Sequence, residues 1–211
     1  MMTGKLITFE GIDLCGKSVQ IEQLVAKLHD RNYPFLLLRE PGGTLIAEKI
    51  RDTLLSKVPE PMNPITEYLL YSAARAQLVQ EKIIPALQQG RLVICDRFFD
   101  SSTAYQGYGR GIDLDFVERT NRFVTQGIVP NLTFLIDIDI DEMEQRKKRM
   151  NKQLDRMEDQ DRTFFERVRN GYFEIAAKQS ERFRIIDGKS TIQIIADEIW
   201  AQVKRIVALN E

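Results

Sequence analysis

The chain has 211 residues, with 30 Lys and Arg against 31 Asp and Glu and a formal net charge of −1. That length suits a single domain with a substantial core, and the charge balance offers no global attraction to nucleic acid or to an anionic membrane. No apolar run approaches the ~20 residues of a membrane-spanning helix, and the opening MMTGKLITFE lacks a signal-peptide apolar region, so a soluble, cytoplasmic protein without nucleic-acid or membrane partners is expected.

Short apolar runs rich in β-branched residues alternate along the chain with longer segments of helical period. KLITFE (5–10) reads as a strand and 16–30 as a helix; PFLLLRE (34–40) reads as a second strand and 47–55 as a second helix. Pro59, Pro61 and Pro64 mark a loop before a long helix over 65–89. RLVICDR (91–97) is a third strand, 113–126 a helix, and LTFLIDID (132–139) a fourth strand. FRIIDG (183–188) is the fifth, and a helix over 191–209 closes the chain. Strands that are apolar throughout belong to parallel sheets covered on both faces. Their alternation with helices predicts an α/β, doubly wound, five-stranded parallel sheet flanked by helices, one domain over 1–211. The segment 145–162, QRKKRMNKQLDRMEDQDR, is dense in charge and on composition alone reads as a solvated helix face.

Chemistry is most visible after the first strand. Gly11-Ile12-Asp13-Leu14-Cys15-Gly16-Lys17-Ser18 matches G-x(4)-G-K-[ST] between a strand and a helix. Successive backbone N–H groups and a helix N-terminus make a donor surface for phosphate oxygens. Lys17 can reach β- and γ-phosphates, and the Ser18 hydroxyl can ligate Mg²⁺. The loop therefore reads as the holder of a nucleoside triphosphate. A GTPase is not indicated, because NKQLD (151–155) is one residue too long for the N-K-x-D guanine motif. Asp96 and Arg97 end the third strand, at the edge where open α/β sheets bind ligands. Asp96 can hold magnesium directly or through water, and Arg97 offers a planar fork to phosphate. REPGGT (39–44) ends the second strand, and Arg51 and Arg75 add cations on the helices that follow. Cys15 and Cys95 make neither a disulfide framework nor a zinc pattern, and the single histidine, His29, reads as a solvated helix residue.

FEGID…GKS, REPGGT, YSAAR, DRFFDSSTAYQGYGRG, LDRME and ERVRNGYFEIA stand in the order and spacing of the thymidylate kinases, which the chain resembles over essentially its whole length. The resemblance implies a P-loop nucleoside monophosphate kinase with a short lid, which phosphorylates dTMP to dTDP with ATP and Mg²⁺ as a homodimer. It implies that Asp13 approaches the acceptor sugar and phosphate, and that Arg51 and Arg97 bind the phosphate. Tyr71 would stack on thymine, Arg75 and Gln106 would hydrogen-bond its edge, Ser102 would line the base pocket, and Tyr105 would crowd the 2′ position. Members without an arginine in the phosphate loop supply one from the lid. Leu14 occupies that loop position here, so 145–162 becomes the expected lid, with Arg149 and Arg156 as candidate catalytic cations beside Lys17 and Arg97.

The chain departs from the family pattern at Leu14-Cys15, where small residues are usual, and at Val19, where threonine is usual. A kinase for another deoxynucleoside monophosphate, or a non-catalytic nucleotide-binding module, stands as the alternative. Cys15, set at a helix N-terminus beside Lys17, is expected to be the more reactive thiol and to be shielded by MgATP.

Overall fold

The structure is a computed structural model that describes residues 3–57, 60–150 and 155–207. Five strands, β1 (Lys5–Glu10), β2 (Phe35–Arg39), β3 (Leu92–Asp96), β4 (Leu132–Asp137) and β5 (Phe183–Asp187), form one all-parallel sheet in the order β2-β3-β1-β4-β5. Each lies inside the span expected from its apolar run. β1, β3 and β4 are buried almost throughout, as a sheet covered on both faces requires. β1 is the centre: it pairs with β3 from Lys5↔Leu92 to Phe9↔Asp96 and with β4 from Ile7↔Leu132 to Glu10↔Leu135. The chain leaves β1 toward one edge and returns to its other side at β4, so a crevice opens at the carboxyl ends of β1 and β3.

Helices α1 (Lys17–His29), α2 (Leu45–Leu55) and α3 (Pro64–Leu78) follow the first two strands. Thr44 caps α2 through Ala47 N, and Asn63 caps α3 ahead of Pro64. The single long helix expected over 65–89 is interrupted in register. Val79–Ile83 is π-helical, with Ile84 N donating to Val79 O, before α4 (Ile84–Gln88) resumes. Pro85 supplies the cause, since a proline has no N–H to give the preceding turn and its ring crowds that turn. Pro59, part of the expected loop, and 208–209 of the expected last helix lie outside the described residues.

After β3, α5 (Phe99–Ser102) and the π-helical turn Thr103–Gly109 that continues it come before α6 (Leu114–Val124), which falls inside the expected helix over 113–126. α7 (Ile140–Arg149) and α8 (Arg162–Lys178), absent from the sequence reading, follow β4, and α9 (Ile192–Val207) falls inside the expected 191–209. The charge-dense segment is not one solvated face. It comprises the end of α7, a turn from Asp155 and the start of α8, with 151–154, and with them most of NKQLD, outside the described residues. Met157 in that turn is buried with Phe164 and Tyr105 in the main core. No helix among the described residues is long and apolar enough to cross a membrane.

Candidate active site

The loop between β1 and α1 turns on positive φ at Gly11 (137°), Leu14 (64°) and Gly16 (103°). A Cβ at Gly11 would lie 2.3 Å from Ile136 O, so only glycine fits there. Leu14 adopts the left-handed conformation with a side chain, at a cost of about 1–2 kcal/mol. Lys17, only 7 % exposed, folds back over the loop, its Nζ donating to Gly11 O (3.1 Å) and Ile12 O (2.9 Å). Ser18 is exposed at the cavity wall.

Arg97, the first residue past β3, also takes a positive φ, 68°, which turns its side chain back across β1. Its guanidinium donates to Asp13 Oδ1 at 2.7 Å, Gly11 O at 2.9 Å and the Ser101 and Tyr172 hydroxyls at 3.2 Å. Tyr105 donates its hydroxyl to Asp13 Oδ2 at 2.9 Å. Burial raises the Asp13 pKa, but Arg97 and Lys17 outweigh it and hold the carboxyl below its ordinary range, with the Tyr105 bond in support. Beneath them Glu10 ends β1 fully buried and accepts from Phe98 N (2.7 Å), Ser101 Oγ (2.5 Å) and Tyr172 OH (2.8 Å). Burial first, then Asp100, raise its pKa to about 7 against the opposing pull of Arg97.

The far end of the crevice is rigidly wired. Arg75, 2 % exposed, donates Nε to Glu40 Oε2 (2.7 Å), Nη1 to Asn121 Oδ1 (3.2 Å) and Nη2 to Phe98 O (3.3 Å) and Ser102 Oγ (2.9 Å). Among the described residues this leaves one of its five N–H groups without a partner. Gln106 donates Nε2 to Glu67 Oε1 at 2.9 Å. Arg51 donates to Pro41 O at 3.0 Å.

A cavity of about 710 Å³ joins these groups. Asp13, Leu14, Gly16, Lys17, Ser18, Asp96 and Arg97 line one part of it, and Arg51, Tyr71, Arg75, Ser102, Tyr105 and Gln106 another. Arg149 of α7 lines it as well. Arg156 does not: its Nε donates to Leu54 O at 2.7 Å and its Nη1 bonds Glu67 Oε2, so it is committed to the α2–α3 side. Gly11, Ile12 and Cys15 lie buried beneath the loop, where they can serve only through their backbone. The expected reactivity of Cys15 is corrected here. Its thiol is 1 % exposed, packed in the core with Sγ 3.4 Å from Lys17 Nζ, and Cys95 is equally buried. His29 is exposed, as its polar surroundings suggested.

Several cavity or supporting residues escaped the sequence reading. Arg146, inside the charged segment, crosses the loop mouth with Nη1 on Leu14 O (3.2 Å) and Nη2 on Gly188 O (2.9 Å). Glu10, Glu40, Glu67, Ser101 and Tyr172 build the second layer. Only Glu10, set directly before Gly11, carried a local signal: an acid closing an otherwise apolar buried strand.

The thymidylate kinase family model matches residues 9–199. A thymidylate kinase of Pelotomaculum thermopropionicum is 44 % identical over 98 % of this chain and 95 % of its own. One of Caldanaerobacter subterraneus subsp. tengcongensis is 47 % identical over 90 % of each. The crystal structure of thymidylate kinase from Ehrlichia chaffeensis superposes with a TM-score of 0.77 at 35 % identity, covering 95 % of this chain and 98 % of that one.

Proposed function

The chain belongs to the thymidylate kinase family, and from that premise we propose that it transfers the γ-phosphate of ATP to dTMP, giving dTDP. The observation that carries the reading is one cavity with a phosphate loop at one end and the Asp13–Arg97–Tyr105 cluster leading to a wired, aromatic-walled pocket at the other.

Mg²⁺ fits the donor set present. The Ser18 hydroxyl and the Asp96 carboxylate are hard oxygens on the cavity wall, and the Asp96 carboxylate takes no hydrogen bond or ion pair among the described residues. No cluster of three or more His, Cys, Asp or Glu suited to a metal occurs among those residues, which suits an ion whose shell is completed by water and substrate phosphates. When bound, the ion neutralises charge on the transferring phosphates.

The remaining work falls to the chain's own side chains. The acceptor is a phosphate oxygen, largely deprotonated at pH 7 because its second pKa is ~6, so no general base is required. Catalysis then consists of alignment and positive charge around a loose transition state. Lys17 supplies charge from the loop, and Arg97, fixed by Asp13 and Gly11 O, and Arg51 hold the acceptor phosphate. Tyr71 stacks on the base, Gln106 and the free N–H of Arg75 meet its edge, Ser102 lines the pocket and Tyr105 closes off the 2′ face. Between the two lid candidates, position favours Arg149, since Arg156 would first have to leave Glu67.

We assign the working unit as a homodimer. Ile65 (53 % exposed) and Leu69 (47 %), one turn apart on α3, and Phe123 (82 %) on the adjoining α6 leave apolar surface that no described residue covers. Light scattering at assay concentration should give twice the chain mass, and a monomer would refute the assignment. Coupled ADP release across a panel of nucleoside monophosphates tests the activity. The highest kcat/KM is expected with dTMP. Preference for another monophosphate, or binding of ATP without turnover, would overturn the reading.

A further inference from the structure

Gln106 lines the cavity with an amide, and an amide can offer a base either its N–H₂ or its oxygen. Which one it offers is decided behind it, by a residue that does not reach the cavity. Glu67 on α3 is 1 % exposed, and both its carboxylate oxygens are occupied. Oε1 accepts from Gln106 Nε2 (2.9 Å) and Arg110 Nε (3.2 Å); Oε2 accepts from Arg110 Nη2 (3.1 Å) and from Arg156 Nη1. Burial raises the pKa of this carboxyl, but the bonds and charge of Arg110, with those of Gln106 and Arg156, outweigh burial and hold it below its ordinary range. An ionised carboxylate only accepts hydrogen bonds. The opposite amide orientation would set oxygen against oxygen at hydrogen-bond distance and leave a buried acceptor unpaired. The Gln106 oxygen, which takes no hydrogen bond among the described residues, is the atom left for the cavity.

We propose that Glu67 is a positioning residue for base selection: by capturing the Gln106 N–H₂ it presents an acceptor to the base, so that the site takes pyrimidines with a hydrogen on N3, thymine or uracil, and rejects cytosine, whose N3 is itself an acceptor. This rests on the dTMP kinase reading above and deepens it. A donor–acceptor mismatch in a closed site discriminates far more strongly than a small difference in shape.

The test compares kcat/KM for dTMP and dCMP in the wild type, Glu67→Gln and Glu67→Asp. A glutamine at 67 can donate or accept, which frees Gln106 to turn over. The dTMP-to-dCMP ratio should fall at least about tenfold in Glu67→Gln, mainly through a gain with dCMP, and should largely survive in Glu67→Asp, which keeps an acceptor-only neighbour. A merely structural residue would lower both substrates together. An unchanged ratio in a folded Glu67→Gln enzyme therefore overturns the proposal, whereas a wild type without dTMP activity overturns the reading beneath it. Should Glu67→Gln fail to fold, Glu67→Gln/Arg110→Gln keeps the net charge of the cluster and carries the same expectation. The wild type adds an arm that needs no variant. In NMR the Gln106 side-chain amide protons should stay protected from exchange when dTMP is added, and loss of that protection would equally refute the idea.

Discussion

Replacing Tyr105 separates two jobs that one side chain performs. The ring is 6 % exposed, meeting Phe164 edge-on at 6.0 Å and Tyr172 at 6.3 Å, while the hydroxyl holds Asp13 Oδ2 at 2.9 Å. Tyr105→Ala removes both and leaves a cavity, at a cost of about 3–5 kcal/mol. Against a stability on the order of 5–15 kcal/mol the variant still folds. At about 2–4 °C per kcal/mol for a chain of this size its melting temperature should drop by roughly 6–20 °C. Tyr105→Phe keeps the ring and removes only the hydroxyl's bonds to charged groups, the one donated to Asp13 Oδ2 (2.9 Å) and the longer one accepted from Arg97 Nη2 (3.3 Å), at a cost of about 1.5–3 kcal/mol for the shorter. Steady-state kcat/KM for dTMP and ribothymidine monophosphate should be measured at 25 °C, below both melting transitions. Steric exclusion of a 2′-hydroxyl predicts that Tyr105→Ala lowers the deoxy-to-ribo ratio at least about tenfold, while Tyr105→Phe retains it and loses efficiency with both substrates. An unchanged ratio in Tyr105→Ala would refute the steric argument. Equal loss of discrimination in the two variants would refute it as well, by assigning the effect to Asp13.

Lys17→Ala should lower kcat by about a thousandfold or more while circular dichroism stays native, because the missing charge acts on phosphates in the transition state. A near wild-type kcat would remove the phosphate-loop mechanism. Arg149→Ala should lower kcat much more than it raises the KM for dTMP, whereas Arg156→Ala should show chiefly as a lower melting temperature, since it strips one partner from buried Glu67. The reverse pattern in paired kinetic and melting measurements would return the catalytic role to Arg156. Glu10 has a folded pKa of about 7 against an ordinary 4.5, so between those values the folded chain binds the extra proton. Its contribution is complete below about pH 4.5 and is lost as pH rises through 7, a change of roughly 3 kcal/mol at most. Urea midpoints against pH should therefore fall less steeply over that window in Glu10→Gln than in the wild type, and parallel slopes would contradict the assignment.

What the sequence made legible divides along physical lines. The inner strands β1, β3 and β4 could be read because a sheet buried on both faces needs largely apolar runs such as LVIC and LTFLI. The phosphate loop could be read because close backbone approach admits almost no residue but glycine at Gly11. By contrast, the helical turn that carries Tyr105 and Gln106 was invisible to periodicity, since a π-helical segment follows neither the helix nor the strand period. α7 was hidden by its own surface: its described core contacts come from Ile140 and Met143, and the rest of the helix is charged.

Residue type marked the cations of the site but not their partners, and the partners decide what each cation can do. Arg75, Arg97 and Arg156 look alike in sequence. In the fold Arg97 is aimed at the crevice by a strained backbone and by Asp13, Arg75 is nearly exhausted by four protein acceptors, and Arg156 is drawn off by Glu67. Those acids come from distant segments: Asp13 lies 84 residues from Arg97, and Glu67 lies 89 from Arg156. No local pattern can register such pairings, because they exist only once the sheet order has brought the segments together. The same reasoning governs Cys15. It sits at a helix N-terminus beside a lysine, but the loop turns that side chain inward, under Gly11 and against the core, and access to the thiol is then set by the direction of the side chain rather than by its charged neighbours.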